Sequence, residues 1–132
     1  MEGRSDDHLI HVDGSARSDA RQVRLGELRD VVTVTAGQKI AYVTDVADTA
    51  ANRIAIVALA ENADILFIEA AFAGADAALA KQRAHLTTVA AGEIAREASA
   101  RRIEPFHFSP RYAGEEEHML AEVMVAFRGL HA

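Results

Sequence analysis

Lys39-Ile-Ala-Tyr-Val-Thr-Asp45 is an apolar run that stops on a carboxylate, and the fold is read outward from it. Ile40, Tyr42 and Val43 suit a buried strand, so Asp45 is expected where the strand ends and the backbone opens toward solvent. Two later runs end the same way. Ile65-Leu-Phe-Ile stops at Glu69, and Ile103-Glu-Pro-Phe stops at His107. Three ligand-capable side chains are therefore expected along one edge of one sheet.

Upstream, Val31-Val-Thr-Val-Thr35 is β-branched throughout, and Ala36-Gly37-Gln38 predicts a turn that makes this segment and the Lys39 run a hairpin. Downstream, Thr49 to Asn62 spaces Ile54, Val57, Ala58 and Leu59 as a helix does. Asp76 to Arg83 is expected as a short helix with Asp76 at its N-cap. The next helix starts at Thr87 or Thr88 and turns Val89, Ile94 and Ala98 inward. Glu115 to Phe127 is expected to bury Met119, Leu120, Val123, Met124 and Phe127. The resulting order is β-β-α-β-α-α-β-α, an α/β domain with a mostly parallel sheet flanked by helices and an antiparallel first strand at its edge. Ligands of such sheets bind outside the carboxyl ends of the strands, where Asp45, Glu69 and His107 fall.

The chain has 132 residues, half of them hydrophobic, which fits one compact domain. Residues 1–24 are polar and mixed in charge and are expected to form a disordered or loosely attached leader, leaving 25–132 as the folded domain. No apolar run reaches the roughly 18 to 20 residues that span a bilayer, and the N-terminus lacks a secretory pattern, so a cytoplasmic location without membrane contact is expected. With no Cys, any metal must be bound by nitrogen and oxygen. A net charge of -6 argues against a general nucleic-acid-binding surface, though not against a local one. No glycine-rich phosphate loop follows a strand, which removes a nucleotide-binding α/β domain.

Each candidate residue has a plainer reading beside the chemical one. Asp45 is either a turn or cap residue of the following helix or, since Asp48 has the stronger claim to that cap, a group free to face the edge. Glu69, directly after a buried strand, needs a partner: an arginine in a structural ion pair, or a histidine that it orients. His85 precedes a helix N-terminus, a setting that suits either a structural role or a bound phosphate. His107-Phe-Ser-Pro-Arg-Tyr112 offers a metal ligand beside anion-binding donors. His8-x-x-His11-x-Asp13 reads as solvated side chains or as part of a metal site. His118 and His131 read as solvent-facing.

Four segments, Lys39 to Asp45, Ile68-Glu-Ala-Ala-Phe72, Ala80-Lys-Gln-Arg-Ala-His-Leu-Thr-Thr88 and His107 to Tyr112, stand in the order and spacing of the C-terminal half of ribonuclease Z. From about residue 25 onward the chain thus resembles metallo-β-lactamase-fold hydrolases of that type. The resemblance implies half of an αββα sandwich and a two-metal hydrolysis of phosphodiesters, tRNA 3′ processing among the family's reactions, in which water of lowered pKa attacks in line. It assigns Asp45 as the aspartate that bridges two zinc ions and His107 as a terminal metal ligand. The catalytic pair is His85, which assists at the scissile phosphate, and Glu69, which orients it. Ser109 and Arg111 fall where the family contacts substrate phosphate.

Ile68 stands where the family usually has histidine in H-E-A-T, and Leu86 where H-S-T has serine, which points to a relative within the superfamily. The H-x-H-x-D-H motif that the family carries in its N-terminal half does not occur in the chain. With Asp45 and His107 as the direct ligands, weak zinc binding and impaired hydrolysis by the chain alone are expected. The partners implied are RNA and either a complementary N-terminal half or a second copy, docked on an exposed inner sheet face. The alternative function is a non-catalytic interaction or dimerisation domain that uses the same face.

Overall fold

The computed structural model describes residues 7–12, 21–28 and 35–130, which fall into two units, Met1–Gly37 and Gln38–Ala132. In the first unit, β1 (Leu9–Val12) pairs antiparallel with β2 (Arg21–Arg24), and a 3-10 turn follows at Leu25–Leu28. These two strands lie within the stretch expected as a disordered or loosely attached leader. Ile10 and Val23 are cross-strand partners, and such a pair supports local strand pairing within an otherwise polar stretch. The strand expected at 31–35 and its antiparallel place in the sheet fall almost wholly outside the described residues.

The second unit carries β3 (Ile40–Val43), α1 (Ala50–Ala60), β4 (Ile65–Glu69), α2 (Ala77–Arg83), α3 (Thr88–Glu97), β5 (Ile103–Phe106) and α4 (Glu116–Arg128). The three strands form one parallel sheet in the order β3-β4-β5. Pro105 lies in β5, which needs only one side to bond in this sheet, the position where a residue without an N–H is tolerated. No described helix is long and apolar enough to cross a membrane.

One face of the sheet is packed. Ala41, Val43, Leu66, Ile68 and Ile103 are buried against Ile56 and Ala60 of α1 and Ala91, Ile94 and Ala95 of α3. The other face is open: Ile40 is 58% and Tyr42 61% exposed. The run at Lys39 is therefore half-buried by strand alternation rather than buried throughout. Tyr42 stacks on Phe106 at 5.0 Å between ring centroids and leans toward Phe67 at 6.3 Å, so this open face is aromatic.

The helices match their expected positions, with different details at caps and stripes. Thr49, not Asp48, caps α1, its hydroxyl accepting from the Asn52 amide at 3.1 Å. Asp48 instead pairs with Arg53. In α1, Ile56 and Ala60 are buried while Ile54 and Leu59 are exposed. Val89 and Leu120 lie on the surfaces of α3 and α4, whereas Ile94, Ala98, Met119 and Val123 are buried as expected. Asp76 stands at the start of α2 without a side-chain cap, because its carboxylate is taken by the Tyr112 hydroxyl at 2.5 Å. Burial, and then this hydrogen bond, raise the Tyr112 phenol above its ordinary pKa.

α4 packs along α3, and Gly92 is the point of closest approach. A Cβ built there would lie 2.4 Å from the Val123 carbonyl oxygen and 2.7 Å from the Ala126 Cβ, so no larger residue fits without movement.

Candidate active site

The carboxyl ends of the three strands bring Asp45, Glu69 and His107 together, and the turn after α2 adds His85. Each of these four side chains offers a ligand atom, and the four atoms lie within 4.8 Å of one another. Val43 is in register with Ile68, and Glu69 with Phe106, so the three strands run out at one level. His118 lies elsewhere, on α4, with its Nε2 3.6 Å from Glu122. Asp13 and His131 lie outside the described residues, as does the side chain of His11.

Glu69 is the hub. Its side chain is fully buried, and its partners are not the arginine of the plainer reading. Oε2 accepts from the Asp45 amide at 2.9 Å, and Oε1 from the Leu86 amide at 3.0 Å and the Val46 amide at 3.3 Å. Nδ1 of His85 lies 3.1 Å and Nδ1 of His107 3.2 Å from Oε2. Burial alone would push the carboxyl pKa up. The Leu86 amide, His85, and the Asp45 and Val46 amides together outweigh it, so Glu69 is held below the ordinary carboxylate range.

An ionised Glu69 accepts but cannot donate, so both imidazoles must present Nδ1–H to it. Each is then left with its Nε2 lone pair for other chemistry. The oxygens of Glu69 already receive these five donors, which uses up about four lone-pair sites and leaves none for a cation. That leaves Asp45 and the two imidazoles, rather than Glu69, as the groups of this cluster with capacity to spare for a cation. Asp45 is well exposed, and its Oδ1 is 3.9 Å from His107 Nδ1. The two imidazoles meet edge to face at 5.4 Å.

Backbone geometry marks two of the four, as it also marks Asn62 and Ser99 away from the site. Asp45 has φ 51° and His107 φ 62°, both in the left-handed region that side chains other than Gly adopt uncommonly. Both turn sharply off their strands, and such conformations cluster at functional sites. Ala84, at φ 59°, ends α2 and delivers His85 to Glu69 in the same way.

Beyond His85, the chain crosses beside the segment after β4. Phe72 bridges Thr87 in parallel, and the Thr88 amide donates to the Phe72 carbonyl at 2.8 Å. Ser109 is tied to the same segment by its amide, which donates to the Ala71 carbonyl at 3.0 Å. His85, Ser109 and Arg111 consequently line one cavity of about 550 Å³, together with Phe72, Leu79 and Arg83. Arg111 lies over the Tyr112 ring at 5.7 Å and is 3.9 Å from Asp76.

Sequence reasoning missed the three amides that hold Glu69, and it missed Arg83, Phe72 and Leu79 in the cavity. Arg83 lies only two residues before His85, but nothing in the sequence says which way the end of α2 faces.

No family model matches the chain. It is 47% identical to ribonuclease Z of Thermobifida fusca over 106 residues, which are 78% of this chain and 31% of that protein. It is 38% identical to ribonuclease Z of Cyanothece sp. over 96 residues, 73% of this chain and 29% of that protein. The chain is similar to part of ribonuclease Z. It spans about a third of the length of these curated relatives. Among solved structures, the metallo-beta-lactamase fold protein YhfI from Bacillus subtilis superposes with a TM-score of 0.58 at 24% identity, over 67% of this chain and 34% of that one. At that identity the likeness speaks for the fold. The parallel sheet, its flanking helices and this neighbour agree on an α/β, metallo-β-lactamase-type architecture for the described domain, as the ribonuclease Z-like motifs implied.

Proposed function

We propose that this chain carries the positioning half of a metal-dependent phosphodiesterase site of the ribonuclease Z type, with RNA as its substrate. The observation that carries the reading is the hub. One buried carboxylate fixes the tautomers of two imidazoles and also holds the Asp45 backbone, an arrangement that orients ligands and proton-transfer groups.

In this reading Asp45 and His107 hold zinc, whose donor set of carboxylate and imidazole suits it. When bound, the cation supplies positive charge toward a phosphoryl oxygen and lowers the pKa of water. Glu69 keeps the ring of His85 fixed, so its Nε2 meets the phosphate at a constant angle. The Ser109 hydroxyl and the Arg111 guanidinium contribute donors to the phosphate oxygens from the cavity beside it.

Asp45 and His107 by themselves are fewer than the three or four protein ligands of catalytic zinc sites, so this chain alone binds zinc weakly and turns over slowly. Titration calorimetry with zinc, and hydrolysis of bis(p-nitrophenyl) phosphate, test this on the parent and on a chain carrying Asp45→Ala with His107→Ala. Weak binding and slow turnover that both vanish in the double variant are expected. Equal zinc binding and turnover in the two chains would remove the reading.

A second reading is favoured by the open sheet face. Ile40, Tyr42, Phe67 and Phe106 form an apolar surface of the kind that marks an interaction site. Its partner is a complementary half that supplies the further histidines, or a second copy. An association that survives chelation and the Asp45→Ala, His107→Ala change, but is lost with Tyr42→Asp, measured by sedimentation, is the expected signature. A chain that stays monomeric and fails to bind a co-expressed H-x-H-x-D-H-bearing half would refute it.

A further inference from the structure

The cavity beside His85 has a chemistry that the phosphate contacts of Ser109 and Arg111 do not exhaust. Its apolar part is Phe72 and Leu79, and its polar part is His85, Ser109, Arg111 and Arg83. Arg83 is exposed at the last turn of α2 and makes no ion pair or hydrogen bond with any described residue. Arg111, the other guanidinium, is only loosely engaged by Asp76 at 3.9 Å, because the Asp76 carboxylate is held by Tyr112. Two guanidiniums thus bound one concave site whose remaining lining joins the apolar Phe72 and Leu79 to His85 and Ser109.

A lone phosphate needs the cations but has no use for Phe72 and Leu79. A purely apolar ligand needs the reverse. A ring carrying a phosphate uses both, and a cavity of about 550 Å³ is within the range of small-ligand sites. We propose that this cavity seats one nucleotide next to the scissile phosphate, with Arg83 as an additional phosphate-gripping residue and Phe72 and Leu79 as the apolar bed of the base or sugar. Arg83 is thereby a specificity residue for a phosphate-bearing neighbour, because its planar guanidinium can take two phosphate oxygens at once. The assignment of that nucleotide to a substrate strand rests on the phosphodiesterase reading above. The binding itself does not, since it needs neither zinc nor turnover.

The experiment is therefore done in EDTA, on the full chain, by following amide chemical shifts during titration with AMP, CMP, adenosine and inorganic phosphate. AMP or CMP is expected to bind more tightly than either adenosine or phosphate, with shifts centred on Phe72, Leu79, Arg83 and Ser109. Arg83→Gln is expected to weaken the mononucleotide about tenfold, the worth of one charge-assisted contact, while leaving adenosine unchanged. Arg128→Gln removes the same charge from α4, outside the cavity, and is expected to leave mononucleotide binding unchanged. Equal mononucleotide affinity in the parent and Arg83→Gln overturns the proposal. So does equal loss in Arg128→Gln, binding of adenosine as tight as that of AMP, or no shift at these residues in the parent. Loss of zinc-dependent hydrolysis with mononucleotide binding intact would instead count against the phosphodiesterase reading alone.

Discussion

Glu69→Gln is the most demanding test of the hub. The change preserves shape but replaces one acceptor oxygen by a donor NH2. If the amide nitrogen takes the place of Oε2, the Asp45 amide and His107 Nδ1–H lose their acceptor, while His85 Nδ1–H keeps Oε1 at 3.3 Å. If it takes the place of Oε1, the Val46 and Leu86 amides do. Either way two donors around a fully buried side chain face another donor. Each orphaned donor costs about 1–3 kcal/mol, so the variant should lose about 2–6 kcal/mol. A domain of this size has about 5–15 kcal/mol in all, so the loss is a large share of it. In urea, with a slope of about 2 kcal/mol per molar, it moves the midpoint down by about 1–3 M.

The pH dependence follows with a definite sign. Since the folded-state pKa of Glu69 is depressed, its contribution is fully present above the unfolded value of about 4.3 and is lost as pH falls through the folded value. The parent should therefore lose stability on acidification below about pH 4.3, and the Gln variant should lose less over the same range. Urea unfolding by circular dichroism at several pH values measures both effects. Nitrogen-15 spectra of the imidazoles report whether Nδ1–H is kept at His85 and His107. A midpoint within about 0.5 M of the parent, with the tautomers of both rings unchanged, would refute the assignment of Glu69 as the hub.

Three further substitutions probe the frame around the site. Gly92→Ala should destabilise by about 2 kcal/mol in thermal or urea unfolding, because overpacking of about 3 kcal/mol against Val123 and Ala126 outweighs a gain of about 1 kcal/mol in helix propensity. Ala84→Gly should stabilise by up to about 1 kcal/mol, since it relieves a left-handed Ala at the end of α2; a clear loss in the same measurement would contradict this. Asp48→Asn should cost about 0.5–1 kcal/mol at neutral pH by removing the bidentate partner of Arg53, at 2.6 and 3.0 Å. The hydrogen bond from Arg53 lowers the Asp48 pKa, so this contribution is present above about pH 3.9 and fades as pH falls through the folded value, where parent and variant unfolding curves should converge.

The sequence was most legible where periodicity and a terminal polar residue coincided. Three apolar runs ending on Asp45, Glu69 and His107 do end at one edge of one parallel sheet, because parallel strands in register carry their last residues to the same level. Helix existence was legible for the same reason, and helix faces in part: Ile94, Ala98, Met119 and Val123 are buried as expected. Ile54, Val89 and Leu120 have the right spacing to be buried yet are exposed; for Val89 and Leu120 the inward stripe is set by how α3 meets α4 around Gly92. Caps were legible only to the neighbourhood: Asp48 was expected at the start of α1, but Thr49 caps it and Arg53, five residues on, holds the Asp48 carboxylate. The three amide partners of Glu69 were out of reach because every residue has a backbone amide, whereas a histidine partner was among its readings.

The way Glu69 is satisfied also bears on what a cation does here. Sites whose ligands cannot be satisfied without metal fold only when loaded, as small zinc domains do. In this chain the buried carboxylate has all its acceptor capacity filled by protein donors, and among the described residues no buried side-chain nitrogen or oxygen lacks a hydrogen-bond partner. Asp45, the one carboxylate left for a cation, is 70% exposed and solvated. The cation is therefore not needed to hold the fold, and it would add stability only by mass action, about 2.7 kcal/mol at a free concentration one hundred times its dissociation constant. Excess EDTA should leave the melting temperature of the chain unchanged, and millimolar zinc should raise it by a few degrees at most, an increase that disappears in the Asp45→Ala, His107→Ala chain. Unfolding on chelation, followed by differential scanning calorimetry, would show that Glu69 does not complete the site on its own and that the metal belongs to the core of the structure.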